Sequence, residues 1–369
     1  MNISKKSVLT FFFILSFFSY GTISAESEIR MRSLENRINI LEEARGCRVF
    51  SDMYSAEPRV EDGLDISLTA SFIYWTARLD GWTYAKSGLG NLTTHTNPCK
   101  GCVKQLDWDF DPGFKVGMGW NLCHGEWDML LQYTWFYTTA GSRSHSNDLN
   151  PGFIIFPSML NGTTLTNPLK KAKAHWSLHY QTGDLELGHN FYVNSCLKLR
   201  PFIGIKGTWQ EQDYAVHFTS VEFPLNTIES TFNFHSKHDH DIWGIGMRAG
   251  INSAYQFNNY FSVYGNFSLT GIWLDYDVNR KDTFCESCTE EIKTVNVCND
   301  AHLVKPVIEF EIGLRLEGNT YCDWMHILVQ AGWESQIWIN QTLLINATNH
   351  LDRLDLNLHG VTAKLRLDF

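Results

Sequence analysis

Apolar residues recur at every second position along most of this chain. Ile66, Leu68, Ala70, Phe72 and Tyr74 alternate with mainly polar neighbours, and nine later segments repeat the pattern. They contain Phe114–Leu122, Trp127–Tyr137, Trp176–Tyr180, Leu197–Trp209, Trp243–Ile251, Phe261–Leu269, Val304–Leu316, Met325–Trp333 and Val361–Phe369. A period of two places one apolar and one polar face on each strand. A soluble sandwich has the same period, so three further features decide. Aromatic residues such as Trp127, Trp135 and Tyr137 sit near segment ends, where an interfacial girdle would place them. Several segments reach the roughly 9–11 residues needed to span a bilayer. The gaps alternate in length: long at 80–111, 140–172, 215–240, 278–302 and 339–352, short at 123–125, 193–196, 257–259 and 318–322. Short periplasmic turns and long outer loops give that rhythm. The pattern predicts an all-β fold, an antiparallel transmembrane β-barrel over 65–369 with about ten strands (roughly 8–14).

The N-terminal part differs. Lys5 and Lys6 precede an apolar run from Val8 to Tyr20, followed by small residues up to Ala25. This reads as a secretory signal peptide, 1–25. The run is too short for a spanning helix of roughly 20 residues. Residues 26–45 place Met31, Leu34, Ile38 and Leu41 at a/d spacing between charges, which predicts a short amphipathic helix with coiled-coil potential. Residues 46–64 read as a linker.

Composition narrows the function. The formal net charge is −10 and becomes more negative once Lys5 and Lys6 are removed. Nucleic acid, which needs clusters of Lys and Arg, is not an expected partner. The polar faces would line the lumen, with Lys115, Asp128, Arg200, Lys206, Arg248, Glu309, Glu311, Arg315, Glu334, Lys364 and Arg366 as the charged candidates. Gln132, His179, His326 and Gln330 join them. Such a lining admits small hydrophilic solutes of either sign, or closes the barrel by pairing across it. No spacing singles out a catalytic set: Ser335 with His326 or Glu334 is a weak combination, and no enzyme or cofactor is expected. The run HSKHDHD at 235–241 offers His and Asp for a metal, but reads as the hydrated tip of an outer loop.

Nine cysteines occur. Cys99, Cys102, Cys285, Cys288 and Cys298 fall in the long loops, Cys47, Cys123, Cys196 and Cys322 in the linker and short turns. The pairs CKGC and CESC suit structural disulfides or a four-thiolate zinc site, and disulfides are the expectation in an exported protein. The odd count leaves at least one thiol free or bonded to another chain.

The last segment, HGVTAKLRLDF, ends on Phe369 in phase with its apolar face. A C-terminal aromatic closing an alternating strand resembles the signal read by the outer-membrane assembly machinery. The ordered motifs PGFKVGMGWNL (112–122), WDMLLQYTWF (127–136), LELGHNFYV (185–193), LRPFIGIKGTWQ (199–210), AGWESQIW (331–338) and LHGVTAKLRLDF (358–369) resemble the Legionella major-outer-membrane-protein-like family over about 66–369. This resemblance implies a pore-forming protein in a bacterial outer membrane, of a type also common in environmental chlamydiae. It further implies self-association or disulfide cross-linking to other envelope proteins. The alternative function is a cross-linked structural envelope protein or a surface adhesin.

Overall fold

The computed structural model describes residues 65–369, apart from 92–95, 123–126, 146–152, 158–168, 195, 222–230, 259, 287–291, 320–324 and 346–350. The signal peptide, the amphipathic helix and the linker therefore lie outside the described residues. Fourteen strands and no helix occur among the described residues. They are β1 (Ile66–Asp80), β2 (Ala85–Asn91), β3 (Thr96–Lys104), β4 (Asp111–Leu122), β5 (Trp127–His145), β6 (Phe153–Pro157), β7 (Leu169–His189), β8 (Phe191–Asn194), β9 (Leu197–Val221), β10 (Thr231–Gln256), β11 (Phe261–Glu286), β12 (Ile292–Asn319), β13 (His326–Ile345) and β14 (Leu351–Asp368).

Ten of them, β1, β4, β5, β7, β9, β10, β11, β12, β13 and β14, pair antiparallel in a closed ring. Each corresponds to one of the ten alternating segments. The ring closes where β1 meets β14, with Leu68 opposite Leu367 and Tyr74 opposite Val361. Phe369 takes part: its N–H donates to the Ile66 carbonyl at 2.9 Å, and Ile66 N–H returns the bond at 3.4 Å. Closure leaves no open edge, which hydrocarbon would not tolerate.

The strands are far longer than the alternating segments suggested. β9 to β12 run for 25 to 28 residues, whereas a membrane-crossing strand needs roughly 9–11. Much of what the gap lengths assigned to outer loops is strand. Cys285 and Cys298 thus lie in β11 and β12, and Cys99 and Cys102 in β3, rather than in loops. The Cys298 thiol is exposed and free. Cys196 is buried beside the start of β9. Cys47, Cys123, Cys288 and Cys322 lie outside the described residues.

The extension has a different inside from the belt. On β7, even-numbered residues point inward throughout. Near the periplasmic end these are Thr182, Asp184 and Glu186, with Leu185 and Leu187 outside. Farther along they are Ala172, Ala174, Trp176, Leu178 and Tyr180, with Lys171, Lys173 and His175 outside. No bulge separates the halves: β7 pairs with β9 without a break from Lys171–Thr219 to Gly188–Phe202. The backbone phase is constant and the chemistry inverts. Where lipid surrounds the wall, the apolar face is outside. Where water surrounds it, burial drives the apolar face in. Trp176, Leu178 and Tyr180, which the alternation had grouped with the lipid-facing residues, are fully buried inside the barrel.

The lipid belt is plain on β10 and β11. Trp243, Ile245, Met247, Ile251 and Tyr255 point outward and exposed, as do Phe261, Phe267, Leu269 and Trp273. Aromatic residues close both ends of each run, as interfacial girdles do. Just above, the outward residues on one rung of four strands are Glu211, Asp241, Asp277 and Asp300.

The seam between β1 and β14 depends on Gly360. A Cβ there would meet the Tyr74 carbonyl oxygen at 2.2 Å and the Trp75 Cα at 2.7 Å. Backbone atoms cannot swing aside, so Gly360→Ala is expected to cost about 1–3 kcal/mol through overpacking. The midpoint of urea unfolding, read as the loss of the fast-migrating folded band in electrophoresis, checks this. An unchanged midpoint would show that the seam relaxes.

Candidate functional site: the barrel interior

The inside of the barrel has two storeys. At membrane level the inward positions carry charge, and most of the charges are paired. The Arg200 Nε donates to both Asp128 carboxylate oxygens at 2.8 and 2.9 Å, and its Nη1 to Glu186 at 2.9 Å. Arg248 lies 3.1 Å from Asp184 and 3.1 Å from Glu186, and its Nη2 donates to Glu309. Lys206 lies 2.9 Å from Asp184 and 2.7 Å from Glu309. These contacts join seven residues from β5, β7, β9, β10 and β12 into one network. On the opposite wall Lys115 donates to both oxygens of Glu334, at 2.6 and 2.7 Å. Thr362 and Gln336 donate to the same carboxylate at 2.8 and 3.0 Å.

The remaining candidates are also inward. Glu311 accepts from the Tyr264 hydroxyl at 2.6 Å and from Asn266 at 2.8 Å. Arg366 donates to Asp368 at 2.6 Å, and His326 lies 2.8 Å from the other oxygen of that carboxylate. Arg315 sits over the Tyr264 ring, 5.4 Å from its centroid. Gln132, Gln330 and Lys364 line the interior. His179 does not. It sits at an odd position of β7, which faces outward, and accepts from the Trp135 indole N–H at 2.9 Å. Ser335 faces away from the lumen while His326 and Glu334 face into it, so alternation on β13 separates the trio.

Two cavities of about 90 and 100 Å³ lie at membrane level. Their linings share Leu130, Asn252, Asn266 and Lys364, so the two adjoin.

The upper storey is an apolar core. Trp75, Trp176, Tyr180, Tyr214, Trp338 and Leu343 are fully buried within it. Trp176 packs edge-on against Trp108 at 5.2 Å, and Tyr180 against Trp338 at 5.9 Å. The end of β13 helps to fill it. A bulge between Trp338 and Thr342, with Asn340 at φ 53°, breaks the alternation, and Gln341 to Ile345 are all buried. Gln341 then donates to Gln210 of β9 at 2.5 Å, and Thr342 to Gln212 at 3.2 Å, across the barrel. The Arg280 guanidinium pairs with Asp282 and donates to the Ile345 carbonyl at 2.6 Å.

His238 and His240 belong to this core rather than to a hydrated loop tip. Both lie on β10 beyond the lipid belt, point inward and are buried. Burial pushes each imidazole down to about 3, so both stay neutral at any ordinary pH. His235 points outward, next to His217 of β9.

Alternation alone does not reveal the upper core, because it reads the same whichever face is inside. One signal was available: Trp176 stands more than a membrane's strand length from the short turn after His189. Counting from the turn places it above the bilayer.

Solved structures with a similar fold include the outer membrane protease OmpT of Escherichia coli, at 12% identity and TM-score 0.38, covering 86% of this chain and 100% of that one. The toluene transporter TodX of P. putida matches at 8% identity and TM-score 0.29, covering 84% and 90%. A FadL homologue of Pseudomonas aeruginosa matches at 11% and 0.26, covering 82% and 89%. Likenesses this distant carry no argument about activity. No curated protein matches the chain. A family model does, over residues 57–369: the chain belongs to the family of the Legionella pneumophila major outer membrane protein precursor, and is an outer-membrane β-barrel.

Proposed function

We propose that the barrel is a porin-like channel for small hydrophilic solutes, held closed in this conformation. One observation carries the reading: the interior at membrane level is lined by ionisable side chains from most of the wall. A barrel needed only as a scaffold gains little from buried ion pairs, since apolar side chains of similar volume serve as well or better. Ionisable residues at membrane depth mark solute and ion pathways in general. Ten strands lie near the filled end of the size range, so the path is narrow and opens by rearranging pairs.

A second reading has its own support. An apolar core fills the barrel above the membrane, which suits a structural barrel or surface adhesin presenting a rigid wall, cross-linked through its cysteines. Conductance in a planar bilayer separates the two. The channel reading expects stable small steps in the purified protein, altered by Arg366→Glu. A bilayer silent at every voltage for both proteins, with disulfide-linked oligomers on non-reducing gels of thiol-blocked cells, overturns it in favour of the structural reading.

A further inference from the structure

At the periplasmic end of the lumen several cations gather around one cavity, and two of them are not held in direct ion pairs. Its cavity of about 100 Å³ is lined by Lys198, Arg200, Arg315, Lys364 and Arg366 against the carboxylates of Asp128 and Glu317. Arg200 is committed to Asp128 and Glu186, and Arg366 to Asp368. Lys364 and Arg315 form no ion pair among the described residues. The Nε of Arg315 is buried and makes no hydrogen bond.

The register explains why these two stand together. Arg315 on β12 lies opposite Gln330 on β13, and Gln330 lies opposite Lys364 on β14. All three are inward positions on one rung, and all three line the same cavity. Gln330 is buried between the two cations. Glu311 and Glu317, on the same face of β12 as Arg315, are the nearby carboxylates, but neither forms a direct ion pair with either cation, and two such cations side by side in a buried wall repel each other. Together they supply an ammonium, a planar guanidinium fork and a neutral amide. That set of donors matches the oxygens of a phosphate or carboxylate.

We propose that Lys364, Arg315 and Gln330 form a binding site for a small oxyanion at the periplasmic end of the lumen. The site gives the channel a preference for anions, a consequence that rests on the channel reading, although the site itself does not.

Inorganic phosphate is the probe. Titrated into the refolded full-length barrel in detergent, it is expected to show saturable ³¹P line broadening. Lys364→Gln and Arg315→Gln should each weaken binding about tenfold, the effect of losing one charge-assisted contact. Lys171→Gln, which removes an exposed cation outside the barrel, should leave it unchanged. Gln330→Leu tests the site without touching a charge and should weaken binding a few-fold, and the heat-shifted gel band verifies that each variant folds. In a bilayer under a KCl gradient the reversal potential should lie on the chloride side and move toward potassium in Lys364→Glu. Phosphate binding with a silent bilayer leaves the site standing and removes the channel. A conducting bilayer without phosphate binding, or binding lost equally in Lys171→Gln, overturns the site.

Discussion

Glu334→Ala is expected to lower the unfolding free energy by about 3–5 kcal/mol, the usual cost of stranding one member of a buried ion pair. The Lys115 ammonium stands 4.7 Å over the Trp75 ring, and both of its carboxylate hydrogen bonds go to Glu334. Without that carboxylate the buried ammonium is left without its ion-pair partner, and Thr362 and Gln336 lose an acceptor. The double change Lys115→Met with Glu334→Met removes both charges at similar volume, and should fall within about 1 kcal/mol of the parent or exceed it. Urea unfolding of the detergent-solubilised barrel reads both. A single variant as stable as the parent would mean that water reaches the pair freely. A double variant as weak as the single one would mean that packing, not charge, sets the cost. The channel reading adds that the single variant should open more often, since a stranded lysine no longer bridges β4 to β13.

The two halves of the wall were not equally legible. The ten barrel strands could be read from alternation alone because lipid enforces it: Met247, Leu269 and Leu314 cannot be exchanged for charges without a penalty of about 2–4 kcal/mol at mid-membrane. Phe369 could be read as the closing residue for the same reason, and its backbone bonds to Ile66 place it at the ring's seam. The inward direction of Lys115 and Glu334 follows from their positions between apolar neighbours. Their partnership does not. They are 219 residues apart and meet only because the shear of the closed ring brings β4 level with β13. Local sequence carries no record of shear. The cross-lumen bond from Gln341 to Gln210 is hidden in the same way, and depends on a bulge at Asn340 that a polar dipeptide does not announce.

Trp176→Ala should be among the most costly substitutions in the chain, and for a reason opposite to the one its alternation suggested. A tryptophan on the lipid face could be shortened with modest loss. Trp176 instead fills the upper barrel, fully buried, with Trp108 at 5.2 Å on one side and Tyr214 at 6.3 Å on the other. Removing it leaves a cavity the rigid ring cannot collapse, and about 3–5 kcal/mol is the expected loss. Trp243→Ala is the matched comparison: its side chain lies on the outer surface and its indole N–H donates to the half-buried Asp275 at 3.0 Å. Its loss should be no more than about 1–2 kcal/mol in detergent, where micelle apolar groups replace the contact. Equal losses at the two positions would place Trp176 on the lipid face after all. The seal makes a second demand. If the apolar core closes the outer mouth, Trp176→Ala should raise bilayer conductance even where Trp243→Ala does not. A rise in stability loss without a rise in conductance would assign closure to the charged storey beneath, where the Lys206, Arg248 and Glu309 contacts occupy the bore at membrane depth.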